Sequence, residues 1–290
     1  MQAKKILVTG GEGFVGYHLC KALMKKYSSV TCLDINLSGR FDRRSEGVEY
    51  IRGDTNNIGT IFKDKTFDVI FHLGEYARLE NSFENIDQVV HSNIKGTAEV
   101  LEFWRKQKCR LIYAGSSTKF SKDIPALEMS PYSFTKSYNS ELVRMYAKWF
   151  GLDFAITYFY NVYGEKENDQ GKFASLIGIF ARKMREKQKL QVVLPGTQKR
   201  NFTHVDDIVD GVLLVAEKGE GDNYGIGSDD LYSVNEIAEI FGGEVEYIPA
   251  RAGNRESSEL MTAKIKELGW KQERNIKDYI LNLKNTAYKS

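Results

Sequence analysis

Through the first 160 residues, short apolar runs alternate with longer segments in which apolar residues recur every three or four positions. Lys5–Thr9 predicts a strand and Gly13–Lys26 a helix, Val30–Asp34 and Glu49–Ile51 two more strands, and Val69–Leu73 a buried strand. Ile86–Lys106 predicts one long helix, Arg110–Ala114 a strand, Ser133–Phe150 a second long helix, and Phe154–Phe159 a further strand. Strands alternating with helices imply βαβ units. The expected class is α/β, a doubly wound parallel sheet with helices on both faces.

Beyond Gly164 the rhythm changes. Glu165–Lys172 is polar and predicts a loop, Phe173–Lys187 a helix, and Leu190–Leu194 a strand closed by Pro195-Gly196. Val205–Glu217 predicts a helix with Asp206 and Asp207 in its first turn, where the dipole favours acids. Val234–Phe241 and Ala263–Leu268 are shorter helices. These pieces predict a smaller, discontinuous second α/β domain facing the first across a cleft.

Composition narrows the class rather than the chemistry. The 290 residues are 42% apolar and 28% charged, ordinary for a globular protein, and the formal net charge of +2 points to neither nucleic acid nor a membrane surface as partner. The alternation within Arg182–Lys189 is that of a solvated helix face. No run is long enough to span a bilayer, and Met1–Gly10 lacks the pattern of a signal peptide. Cys20, Cys32 and Cys109 form no CxxC pair and read as buried reduced thiols; the four histidines lack metal-ligand spacing, so no metal is expected. A cytoplasmic protein is the expectation.

Candidate chemistry begins where the first strand ends. Thr9-Gly10-Gly11-Glu12-Gly13-Phe14-Val15-Gly16 leads from strand to helix, with glycines at 10, 13 and 16. They permit a tight turn, close approach of a pyrophosphate and close helix–strand packing, with the helix N-terminus facing the phosphates. Asp34 ends the second strand, where an acid accepts from the adenosine ribose hydroxyls and favours NAD over NADP. Arg40, Arg43 and Arg44 follow closely enough to accommodate a 2′-phosphate instead. Gly53-Asp54, after the third strand, suits an adenine contact.

Tyr132-Ser133-Phe134-Thr135-Lys136 places a phenol and an ammonium group one turn apart on one helix face. The cation stabilises phenolate, which would make Tyr132 a general base. Ala114-Gly115-Ser116-Ser117 ends the preceding strand, where open α/β sheets bind ligands.

With these motifs in order, the chain resembles the NAD-dependent epimerase/dehydratase family of extended short-chain dehydrogenases over nearly its full length. TGGEGFVG at 9–16 is similar to the family's TGxxGxxG, HLGEYAR at 72–78 to its HLAA segment, and SNIKGT at 92–97 to its N-x-x-G-T. SPYSFTKS at 130–137 resembles the catalytic tyrosine region, YFYNVYG at 158–164 the R-x-F-N-V-Y-G strand, and RNFTHVDDIVDG at 200–211 the segment RDFIYVDDVVDA.

The resemblance implies a Rossmann-type domain of residues 1–163 plus about 203–227, binding NAD, and a nucleotide-sugar domain of about 164–202 and 228–290. It implies Tyr132 as acid/base, Lys136 on the nicotinamide ribose, and Ser116, with Ser117 as fallback, as the hydroxyl partner. Cofactor contacts would be Gly10, Gly13, Phe14, Val15, Gly16, Asp34, Asp54, Leu73, Gly74 and Asn93, besides Tyr132 and Lys136. Substrate contacts would be Glu75, Asn161, Arg200 and Arg251, the last in a segment that resembles an R-P-G-D phosphate clamp; a planar guanidinium binds phosphate bidentately. The chain departs from the family at Tyr158, at Tyr160 and at Lys119-Phe120-Ser121, which replaces Val-Tyr-Gly.

The substrate implied is a nucleotide-diphosphate sugar. A 4,6-dehydratase would need an acid directly after the strand-end hydroxyl, and here Ser117 and Thr118 follow Ser116. Epimerisation, favoured at C4, needs only the tyrosine, the lysine and a hydroxyl. An ADP-heptose-type 6-epimerase, a 4,6-dehydratase and a nucleotide-sugar 4-dehydrogenase or reductase are the competing reactions. A cofactor sensor without chemistry is the alternative of another class. By the same resemblance, the two long helices would pair with their copies in a homodimer, with Leu142, Met145, Tyr146 and Trp149 as an apolar stripe.

Overall fold

Consecutive side chains of each central strand divide between two buried layers, as the period of two requires. A computed structural model describes residues 2–35, 43–122, 124–249 and 259–287. Its main sheet holds β1 (Gln2–Thr9), β2 (Tyr27–Asp34), β3 (Glu49–Arg52), β4 (Val69–His72), β5 (Arg110–Ser116), β6 (Phe154–Phe159) and the strand Gly221–Ile226. Ile6, Val8, Val69 and Phe71 pack on one layer, with α1 (Phe14–Lys26) and the helix Val205–Lys218. Leu7, Ile70, Leu111 and Tyr113 point into the other, beneath the helices Thr97–Gln107 and Pro131–Phe150.

All pairings in this sheet are parallel, and the order is Gly221–Ile226, β6, β5, β4, β1, β2, β3. This is the Rossmann-type doubly wound arrangement. The chain winds outward one way from β1 and the other way from β4, so a crevice opens between their C-terminal ends. Gly10, Leu73, Gly74 and Glu75 follow immediately.

A third core cluster joins Ile177, Phe180, Leu190, Ile237, Phe241 and Ile280. Around it, Leu190–Val193 pairs parallel with Val245–Ile248, and Lys199–Asn201 pairs antiparallel with Leu231–Ser233. Among the described residues no helix is long and apolar enough to cross a membrane. Cys20, Cys32 and Cys109 are free thiols, the first two buried and Cys109 partly so.

Two elements depart from expectation, and several others were not foreseen. The segment expected as one helix over Ile86–Lys106 is α-helical at Ile86–Val89, π-helical over Val90–Gly96, then α-helical again over Thr97–Gln107. The wide turn tucks Asn93 and Gly96 into the core, with Gly96 pressed against the Thr55 hydroxyl. β2 starts at Tyr27, directly after α1, earlier than the apolar run suggested. Gly221–Ile226 and the helix Ile276–Ala287 are additions.

Candidate active site

The turn after β1 is built around close backbone approaches. Gly10 has φ of 76°, and a Cβ there would stand 2.8 Å from the Gly74 backbone. A Cβ on Gly16 would collide with the Gly10 carbonyl oxygen, so α1 can lie this near β1 only with glycine at 16. Gly13 caps α1 without a side-chain hydrogen bond, and no acid occupies the first turn with Phe14, Val15 and Gly16. The first-turn N–H groups therefore present positive potential to the crevice. This cradle fits the pyrophosphate of a dinucleotide.

Asp34 stands at the end of β2 and accepts the Glu12 N–H at 2.9 Å, which couples the acid expected at the ribose to the glycine turn. Arg44 donates to Glu12 at 2.9 Å, and Arg43 to Asn168 at 2.7 Å and to the Lys166 carbonyl. Arg40 lies outside the described residues. Asp54, expected at the adenine, caps Thr55–Asn57 through the Asn56 N–H at 2.9 Å and pairs with His91.

Ser130 and Pro131 open the helix that carries Tyr132 and Lys136, the serine hydroxyl accepting the Ser133 N–H at 3.1 Å. Tyr132 is half-buried on the first turn. One turn on, the Lys136 side chain is only 7% exposed, and its ammonium donates to the Ala114 carbonyl and to the Glu75 carboxylate. The bond to Ala114 joins the helix to the end of β5, two residues before Ser116. Lys136 also stands 4.7 Å from the centroid of the Tyr113 ring.

Glu75 and Asn93 differ from expectation. The Glu75 side chain, expected at the substrate, is 2% exposed. Besides Lys136 it accepts from Tyr113 and Thr97, each at 3.1 Å, and from Asn139 at 2.7 Å. Burial alone would raise its pKa, but the Lys136 ammonium holds it below the usual carboxylate range. Asn93, expected at the cofactor, is fully buried; its amide binds the Tyr76 backbone and the Thr135 hydroxyl. Both side chains are committed to packing the Lys136 helix against the sheet.

A directional chain of hydrogen bonds feeds this network. The Gly74 N–H donates to the Thr9 hydroxyl at 3.1 Å, and the Thr97 hydroxyl donates to Glu75. His72 lies between Thr9 at 2.7 Å and Thr97 at 3.0 Å. Because Thr97 spends its proton on Glu75, His72 Nε2 carries the hydrogen that Thr97 accepts, and Nδ1 accepts from Thr9. Burial lowers the His72 pKa to about 4, so it stays neutral.

Ser116 ends β5 and caps the following turn, accepting from the Thr118 hydroxyl at 3.0 Å and its N–H at 3.3 Å. Ser117 is 4% exposed. The departures at 119 and 158 form one cluster: Lys119 donates to Tyr158 at 2.8 Å and to Asp222 at 2.7 Å, and Tyr158 donates to Asp222 at 2.6 Å. Tyr160 donates to the Glu259 carbonyl at 2.6 Å.

Asn161 follows β6 with φ of 33°, and its amide donates to the Asn201 carbonyl at 3.3 Å. Arg200 lies beside it in sequence on Lys199–Asn201, while Arg251 is outside the described residues. Two buried ionisable groups, Arg78 and Glu167, had no role assigned from the sequence. Arg78 donates to the Phe173 carbonyl at 2.9 Å; burial lowers its pKa, and Tyr132 and Glu167 lead the groups that oppose the shift.

Burial pushes Glu167 up to about 7, although Ser175 donates to it. Between 4.5, its ordinary value, and about 7 the native chain holds a proton that the unfolded chain has lost, so stability falls as pH rises through that window. Glu167→Gln removes this dependence. Relative to wild type, the variant should gain about 3 kcal/mol of unfolding free energy between pH 4.5 and pH 8, measured by urea denaturation. A difference independent of pH would contradict that protonation.

Comparisons agree with this geometry. The family model described as NAD dependent epimerase/dehydratase family matches residues 6–227. A Methanocaldococcus jannaschii protein provisionally named UDP-glucose 4-epimerase is 30% identical, covering 97% of this chain and 97% of the relative. The crystal structure of a Thermotoga maritima UDP-glucose 4-epimerase with UDP-glucose superposes with a TM-score of 0.90 at 24% identity, covering 98% of this chain and 99% of the other. A Thermus thermophilus UDP-glucose 4-epimerase complex with NAD gives 0.87 at 23%, covering 95% and 96%.

Proposed function

We propose, from the premise that the chain belongs to the NAD dependent epimerase/dehydratase family and takes NAD as its cofactor, that it epimerises a nucleotide-diphosphate hexose at C4. The observation that carries this reading is Lys136, buried at the end of β5 one turn from Tyr132 on the same helix. Gly10, Gly13, Gly16 and Asp34 would hold the dinucleotide. NAD, when bound, supplies a reversible acceptor for hydride.

Tyr132 takes the proton of the sugar hydroxyl and later returns it. The Ser116 hydroxyl, already an acceptor for Thr118, has its own hydrogen to donate to the reacting oxygen. Lys136 orients the ribose and keeps positive charge near the phenol. Asn161, Arg200 and Arg251 would bind the diphosphate, which lets the oxidised sugar turn over without leaving. Residues 1–163 with about 203–227 form the cofactor half, and about 164–202 with 228–290 the substrate half. The homodimer would cover exposed Trp149 and neighbouring apolar groups, and the enzyme would act in the cytoplasm.

Dehydration is less well supported, because neither Ser117 nor Thr118 carries a carboxyl group and Thr118 is spent on Ser116. The relatives' UDP-sugars make UDP-glucose the first substrate to try. Screening UDP-, GDP- and ADP-hexoses by chromatography and mass spectrometry should yield an isomer of unchanged mass. A product lacking water would replace the epimerase reading with a dehydratase.

A further inference from the structure

The HLGEYAR segment carries a carboxylate where the resembling HLAA motif has a small apolar residue, and the reaction proposed above has no use for it. The Glu75 oxygens are fully engaged: Oε1 accepts from Tyr113, Thr97 and Asn139, and Oε2 accepts from Lys136. Lys136 has three N–H donors, and two go to Glu75 and the Ala114 carbonyl. A third remains for a ligand. A flexible four-carbon side chain is thereby reduced to one placement, with its charge facing an anion on the buried side.

We propose that Glu75 is a positioning residue of this reaction, fixing the Lys136 ammonium against the end of β5 and setting how much positive charge it presents to Tyr132. The groups facing the pair come from every adjoining element. His72 on β4 is neutral, Tyr113 on β5 stays protonated because burial and then Glu75 raise its pKa, and Tyr132 lies on the Lys136 helix itself. Arg78 is a further cation, and it bears on Tyr132. Thr97 and Asn139 contribute dipoles. Among the described residues no other carboxylate is bonded to the Lys136 ammonium, so Glu75 is its countercharge.

This inference rests on the acid/base role of Tyr132, and its test has one arm that does not. In Glu75→Gln the lysine charge is no longer offset, so phenolate forms more readily. The acid limb of the kcat/KM profile should move to lower pH by about one unit, equivalent to a tenfold change in an equilibrium constant. Turnover should fall as the ammonium loses its anchor, and Glu75→Asp, which keeps the charge, should restore the wild-type limb. A reduced turnover with an unmoved limb would leave Glu75 a packing residue and overturn the proposal.

The second arm needs neither substrate nor a folded Glu75→Gln protein. Lys136→Met leaves Glu75 buried and unpaired, so its loss of melting temperature against wild type should be smaller at pH 5 than at pH 8. A loss independent of pH would overturn the pairing itself. If turnover survives Tyr132→Phe while this pH dependence holds, the reaction assignment has failed and the pair has not.

Discussion

Tyr132→Phe should lower turnover about 10³-fold while leaving NAD affinity and melting temperature near wild type. The substitution removes one oxygen and keeps the ring, the Ser130 cap and the buried Lys136 network. Neither the cradle after β1 nor the Glu75 pair depends on the phenol. The loss therefore falls on proton transfer alone. It is read as kcat at saturating sugar, beside an NAD titration on the same preparation. A loss below tenfold would remove Tyr132 from the chemistry and favour the reading as a cofactor sensor.

Gly16→Ala should be comparably damaging by another route. The added Cβ meets the Gly10 carbonyl oxygen, which is backbone and cannot swing aside, so α1 or the turn must shift. Overpacking of this kind costs about 2 kcal/mol, and displacement of the first-turn N–H groups should weaken NAD binding roughly 30-fold. Calorimetric titration and thermal denaturation read the two effects separately. Gly59→Ala is the control, since nothing lies within 4 Å of its would-be Cβ. If Gly16→Ala bound NAD as tightly as the control, the close approach of α1 to β1 would be irrelevant to the cofactor.

Much of this was legible along the chain because its signals are local. The glycine spacing, the apolar run of Ile6–Val8 and the four-residue interval from Tyr132 to Lys136 need no tertiary information. Glu75 and Asn93 were expected at ligands through the family resemblance alone, and a motif match does not say what each side chain packs against. Their burial depends on partners from β5 and two helices, as far as 64 residues away. Lys119 and Asp222 are 103 residues apart, so no window joins them.

The strand Gly221–Ile226 escaped notice because Gly, Asp and Asn are poor strand formers and its pairing with β6 shifts register between Gly221 and Tyr224. The helix Ile276–Ala287 is different. Ile276, Tyr279, Ile280 and Leu283 keep helical spacing, and Asn275 accepts the Asp278 N–H at 2.9 Å, so its signal was present and went unread.

Hydride removal and return at one carbon leave an isotopic record. The sugar nucleotide that is turned over, deuterated at C4, should give an epimer of unchanged mass that keeps its deuterium at C4 and takes none from solvent. Deuterium lost to water, or a product lighter by water or by two hydrogens, would contradict epimerisation by Tyr132 and Lys136.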